Sequence, residues 1–220
     1  MSACSNATAT PSSAIFARAA ANTSSKPTIP DPLAFLNQAI LAGHQQLLRY
    51  SAQKALSDTP RTTVVACLLQ GDSVYWAHCG DSRLYMVRAG KLIARTRDHS
   101  YSELQDALPS VVPMRERLNR NVLFTCLGSP GKPVIDTAGP FTLQGGDRLM
   151  LCSDGLWGTV TDESITEELG RRSIAEAVPE LVEQALRNGG PKCDNVSVMA
   201  VEWECSEAEQ GGSGVSTEEL

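Results

Sequence analysis

Between residues 31 and 205 the apolar positions keep two rhythms, one of helices and one of strands. Asp31-Pro32 opens the first helix, because Asp caps free N–H groups and Pro fits the first helical position. Leu33, Leu36, Ile40 and Leu47 follow at helical spacing and predict a helix to about Ala55. The rhythm then changes. Thr62 to Leu69 is β-branched and apolar, and Gln70-Gly71-Asp72 reads as a turn. Ser73 to His78 alternates, with Val74, Trp76 and His78 on one face. Arg83 to Val87 and Leu92 to Arg95 flank the Ala89-Gly90 hairpin turn. Short strands on short turns predict an antiparallel meander.

Farther along, a short helix is expected near Ser102 to Ala107, ahead of Pro109 and Pro113. Phe141 to Leu143 and Arg148 to Cys152 read as a strand pair across Gly145-Gly146. Thr161 to Leu169 predicts a short helix. Ser173 and Glu176 have capping-box spacing and open another, reaching Asn188, with Pro179 set to kink it or delay its start. Val196 to Trp203 is the last strand. Strands in runs, with helices between the runs, favour an α+β layered fold over a doubly wound one.

The two ends break these rhythms. Residues 1 to 30 are rich in Ser, Thr, Ala, Asn and Pro and hold no Asp or Glu, only Arg18 and Lys26. They are expected to form a flexible low-complexity segment, with a helical turn or two at Ala14 to Ala21. A basic lead and an unbroken apolar stretch are missing there, which argues against a signal peptide. Residues 206 to 220 carry four Glu and no Lys or Arg, and read as an acidic flexible tail. The domain is thus expected over 31–205.

Composition narrows the function classes. Hydrophobic residues make up 42%, which excludes global disorder. The longest apolar run, Val64 to Leu69, is far shorter than the ~20 residues of a membrane-spanning helix. Nineteen basic residues against 25 acidic ones give a net charge of −6 without a Lys/Arg cluster, so no nucleic-acid or membrane partner is expected. Seven Cys without CxxC spacing point to reduced thiols and a cytoplasmic protein. No GxxxxGK[ST] loop occurs, so NTPase chemistry has no support. Cys152 and Cys193 read as packed thiols, His44 and His78 as structural, and the three Trp as packing residues.

Three acidic motifs stand at predicted strand ends: Gly80-Asp81-Ser82-Arg83, Ser153-Asp154-Gly155 and Asp194-Asn195. Each alone is an ordinary turn signal, because an Asp side chain satisfies nearby backbone N–H groups. Brought to one end of a sheet they would form an oxygen-ligand site for a hard cation such as Mg²⁺ or Mn²⁺.

In series, the three motifs resemble those of the metal-dependent type 2C (PPM) serine/threonine protein phosphatases, in particular the bacterial branch. Matching stretches are Arg61 to Ala66, Tyr75 to Tyr85, Arg97 to Ser100, Leu127-Gly128, Leu149 to Trp157 and Cys193 to Val198, spanning about 31 to 204. The resemblance implies a sandwich of two antiparallel sheets with helices on both outer faces, an αββα arrangement. It also implies two metal ions and a metal-activated water that attacks a phosphoserine or phosphothreonine. By that resemblance Asp154 and Asp194 ligate a core metal, Asp81 helps hold a third, and Asn195 fixes Asp194; Asp98-His99 matches a family motif at a strand end and reads as structural, since an Asp-His pair can close a turn. The implied partner is a phosphoprotein substrate, in a pathway opposing a bacterial serine/threonine kinase.

The sequence departs from the family in its first part. The Arg/Glu-Asp motif and the Asp-Gly-x-Gly-Gly motif, which supply the phosphate-gripping Arg and the bridging Asp, have no counterpart ahead of the first helix. Gly158 stands where many members carry an acidic or amide residue. The expectation is therefore an N-terminally truncated domain lacking the first strands, from a late start or a damaged frame, with one weakly held ion. The alternatives are a catalytically dead binding or regulatory module, and a structural domain with turn aspartates and no metal.

Overall fold

The computed structural model describes residues 12–20 through their backbone, and residues 28–107 and 122–204. Two four-stranded sheets face each other among these residues. The first has the order β1 (Ser12–Ala20), β2 (Thr62–Gln70), β3 (Ser73–Cys79), β6 (Asp136–Thr142). The second has the order β5 (Lys91–Arg95), β4 (Arg83–Arg88), β7 (Arg148–Cys152), β8 (Val198–Glu202). Helix α1 (Pro32–Lys54) covers the first sheet, while α4 (Asp162–Arg171) and α5 (Ile174–Gly189) cover the second. Two short helices, α2 (Tyr101–Ala107) and α3 (Asp154–Trp157), follow β5 and β7. The predicted sandwich with helices on both outer faces is the fold that forms.

Alternation inside β2 explains its unbroken apolar run. Val64, Ala66 and Leu68 face Leu36 and Ile40 of α1. Val65, Cys67 and Leu69 face inward, where they meet Leu84, Met86, Leu149 and Leu151 of the other sheet. A strand buried on both faces has no polar side to show. On the far side Tyr85, Val87, Met150 and Cys152 pack on Ile165 and Leu169 of α4 and on Ala177, Leu181 and Ala185 of α5. Asp31 caps α1, its carboxylate accepting from the Ala34 N–H at 2.9 Å. Thr161 caps α4 in the same way, its hydroxyl oxygen accepting from the Ser164 N–H at 3.2 Å.

Four expectations need correction. Residues 12–20 form a strand, not helical turns, paired parallel with β2 from Ser12↔Thr62 to Ala20↔Gln70. Local Ala content favours helix, but a sheet edge with free N–H and C=O groups favours an extended neighbour, and the tertiary term wins. The predicted meander is also split. β2–β3 and β4–β5 are hairpins of opposite sheets, and residues 80–82 carry the chain across. Gly80 makes that crossing possible: its φ is +108°, and a Cβ there would collide with the Thr63 side chain.

Nor do the segments around Gly145-Gly146 pair with each other. β6 lies beside β3, and β7 lies between β4 and β8. The intervening residues form a second crossing, held by a fully buried Asp147. Its carboxylate accepts from Arg88 Nε and Nη2, both at 2.7 Å, and from the Gln144 N–H at 2.8 Å. A Gly-Gly pair marks a turn but does not say whether its flanks pair. Finally, α5 begins at Ile174 despite Pro179, so no late start occurs.

Leu181 is wholly buried on α5, whereas Leu186 is 50% exposed on the same helix. Leu181→Ala should therefore cost roughly 2–5 kcal/mol, and Leu186→Ala less than about 0.5 kcal/mol, in urea unfolding followed by circular dichroism.

Candidate functional site

The crossing at residues 80–82 leaves Asp81 at the end of the sandwich, 7% exposed. Ser82 anchors the crossing through a 2.8 Å hydroxyl–hydroxyl hydrogen bond to Thr63 of β2. Trp157, the last residue of α3, donates its indole N–H to the Asp81 carbonyl at 2.9 Å. Beside them lies Arg83. Its Nε and Nη2 donate to the two carboxylate oxygens of Asp98, both at 2.8 Å. Nη1 reaches the Tyr85 hydroxyl and Asp162 Oδ1, each at 3.1 Å. The guanidinium carbon sits 3.7 Å from the centre of the Trp157 ring, a cation–π contact. Asp98, expected to close a turn, instead neutralises a buried cation.

The second and third motifs meet across β7 and β8. Strand β7 ends at Cys152, and Ser153 then laces the two segments together. Its N–H donates to the Ser197 carbonyl at 3.0 Å, its hydroxyl to the Asn195 carbonyl at 3.1 Å, and its Oγ accepts from the Ser197 N–H at 3.0 Å. Gly155 allows this approach, because a Cβ there would collide with the Asn195 carbonyl oxygen. Asp154 is thus held close to Asp194. The Asn195 contribution is made by its backbone: its N–H donates to Asp194 Oδ1 at 2.7 Å.

Burial raises the Asp154 pKa, and the charge of Asp194 raises it further. Burial also pushes Asp81 up to about 7, with Asp154 and then Asp98 adding to the shift. Among the described residues no ion pair reaches Asp81, Asp154 or Asp194. Asp154 feels Asp194 and Asp81 feels Asp154, whereas the three carboxylates do not bring one oxygen each within 4.8 Å of the others.

Comparison with known proteins agrees with the motif reading. Residues 4–106 match the family described as Protein phosphatase 2C, a span that takes in β1. The serine/threonine phosphatase stp of Listeria monocytogenes is 31% identical over 172 residues, covering 76% of this chain and 67% of that protein. The chain is a member of the protein phosphatase 2C family. The serine/threonine protein phosphatase PstP of Mycobacterium tuberculosis is 33% identical over 78% of this chain, but the chain spans only a third of that relative's length. A crystal structure of the PstP catalytic domain with two manganese ions superposes with a TM-score of 0.66 at 31% identity. That match covers 81% of this chain and 74% of the other.

A further group in this phosphatase 2C chain escapes the sequence reading. His78, His99 and Asp136 place one potential ligand atom each within 4.8 Å of the others. The sequence marks His78 as structural and His99 as part of a turn, and nothing around Asp136 singles it out. Only the pairing of β3 with β6 sets Asp136 opposite His78. His44, by contrast, has the structural role expected: buried on α1, its Nδ1 accepts from the Gly128 N–H at 3.2 Å.

Removing the Arg83 charge while keeping its bulk, as in Arg83→Met, leaves Asp98 buried without a partner. Unfolding in urea should show a loss of about 3–5 kcal/mol. The Asp81 shift gives a pH signature. Its folded pKa of about 7 lies above the ordinary 3.8. In metal-free protein its contribution is full below about pH 4 and is lost as pH rises through about 7. The stability of the wild type relative to Asp81→Asn should fall across that window, as read from urea midpoints in EDTA, and Mn²⁺ should flatten the slope.

Proposed function

We propose that the chain is a metal-dependent phosphatase domain acting on phosphoserine and phosphothreonine in proteins, with its divalent cation held by Asp154 and Asp194. Asp81 faces the same site and holds the ion directly or through water. The reading is supported by one observation: the Ser153 lacing holds the Asp154 turn against the segment that carries Asp194, and the charge of Asp154 in turn reaches Asp81. When bound, Mn²⁺ or Mg²⁺ lowers the pKa of a water so that it can act as a nucleophile at neutral pH. The protein's part is positioning. Ser153 and Gly155 hold the Asp154 turn against the Asp194 strand entry, and the Arg83–Asp98 pair with Trp157 holds the Asp81 crossing.

A second reading is a module that binds phosphoprotein without hydrolysing it. It is favoured by Gly158, which stands where many members of the family carry an acidic or amide residue. Such a module would still take one hard cation. In both readings the partner is a phosphoprotein, a target of a bacterial serine/threonine kinase.

Calorimetric Mn²⁺ titration and p-nitrophenyl phosphate hydrolysis of the 220-residue chain separate the two. The enzyme reading predicts Mn²⁺-dependent turnover abolished by EDTA, with Mn²⁺ affinity down ~10-fold or more in Asp154→Asn and Asp194→Asn. Mn²⁺ binding that depends on these residues but gives no turnover establishes the module. A chain that binds no Mn²⁺ overturns both.

A further inference from the structure

Two imidazoles and a carboxylate meet beside the Asp81 crossing. His78 is the last residue but one of β3, and its cross-strand partner is Asp136, the first residue of β6. His99 enters after β5 and stacks on His78 with ring centres 4.5 Å apart and planes 29° apart. Both rings are 3% exposed, yet His78 Nδ1 and His99 Nε2 have no hydrogen-bond partner among the described residues. Leaving a buried polar atom unpaired costs about 1–3 kcal/mol, so two of them side by side need a reason. His99 Nε2 lies 3.4 Å from Asp136 Oδ2, an ion-pair contact long for a hydrogen bond.

We propose that His78, His99 and Asp136 form a second metal site, for a borderline transition ion such as Zn²⁺ or Co²⁺. The donor set is the first argument: two imidazole nitrogens and one carboxylate favour such ions over Mg²⁺ or Ca²⁺ and leave a fourth tetrahedral position for water. Spacing is the second. Ligands about 2.0–2.2 Å from one tetrahedral ion sit roughly 3.5 Å apart, and the His99–Asp136 pair is already at 3.4 Å. The third is orientation. His78 Nε2 donates to the Arg97 carbonyl at 2.6 Å, which puts the ring's proton there and leaves the Nδ1 lone pair free. Imidazole ligands are commonly fixed by just such a carbonyl.

Access and protonation agree with this. The Asp136 side chain is 58% exposed, so one edge of the group lies at the surface while the two rings stay buried. Burial, then the neighbouring His99, lowers His78 to about 4, and burial lowers His99 as well. Neither ring therefore has to shed a charge-bearing proton to take an ion at neutral pH.

Binding at His99 has a structural consequence. His99 Nδ1 accepts from the Gly80 N–H at 3.2 Å, so the neutral ring carries its proton on Nε2. An ion at Nε2 moves that proton to Nδ1, with no net release, and two N–H groups then face each other. The Gly80 peptide must turn away, and Gly80 precedes Asp81. Occupancy at the imidazole site is thereby coupled to the carboxylate site.

The test titrates the whole chain with Co²⁺, followed by visible absorption, with Mg²⁺ in excess. The expected result is a set of tetrahedral d–d bands without a thiolate charge-transfer band, displaced by Zn²⁺. Affinity should fall ~10–100-fold in Asp136→Asn and in His78→Gln but not in Asp154→Asn. Asp136 is exposed, so its variant reports even if the His78 variant fails to fold. The Gly80 amide resonance should shift on Zn²⁺ addition. Absence of Co²⁺ bands, bands that survive Asp136→Asn, or bands lost in Asp154→Asn would each overturn the proposal.

Discussion

A guanidinium held away from water organises the end of this sandwich. Arg83 starts β4, directly after the crossing from the first sheet, and its charge is matched by the two oxygens of Asp98. The remaining contacts, to Tyr85, Asp162 and the face of Trp157, come from β4, α4 and α3. Burial alone would work against this charge, and Asp98 more than offsets it. Desolvating both partners is costly, so the pair adds little net stability over an apolar substitute. Its value is geometric: a planar fork satisfied on every side fixes four segments in one arrangement. Trp157, pinned against that fork, is also the residue that hydrogen-bonds the Asp81 backbone.

With Asp98 committed to Arg83, the charge left over belongs to Asp81, Asp154 and Asp194. Among the described residues no ion pair relieves that charge, and Gly155 and Ser153 bring two of the three closer together. A fold that holds Asp81 and Asp154 with raised pKa gives up stability as the pH rises to neutral. Under the proposed function a divalent cation relieves that crowding, so stability lost without the ion returns as affinity for it.

Much of the fold could be read along the chain, because burial leaves a periodic trace. The α1 stripe at Leu36 and Ile40 and the alternation of β3 are local patterns. Which strands lie side by side is not local. The Ala89-Gly90 turn joins paired strands, while Gly80-Asp81-Ser82 and Gly145-Gly146 join strands of different sheets, and the turn residues are alike. The edge strand at Ser12–Ala20 is hidden for a related reason: its partner β2 lies forty residues and more downstream. For the proposed site, Asp81, Asp154 and Asp194 stand out in the sequence because each sits in a dense motif. Asp136 and the His78–His99 stack are not, since they exist only once β6 has paired with β3.

Under the two proposals, the two groups of ligands divide the divalent ions by chemistry. Carboxylates from the strand ends suit a hard, well-hydrated ion, and imidazoles in a dry wall suit a borderline one. Gly80 lies between them, its N–H on His99 and its chain continuing into Asp81. Its carbonyl also accepts from the His99 N–H at 3.0 Å, so the two loops share a pair of bonds, one to the ring and one to the backbone. Turning the ring's proton around breaks the first bond and strains the second. Under the proposed second site, a borderline ion would thus weaken a hard ion's hold without competing for a single carboxylate. Thermodynamic linkage requires the reverse as well: an ion on the carboxylates, by fixing Asp81 and the Gly80 peptide, must weaken binding at the imidazoles by the same factor.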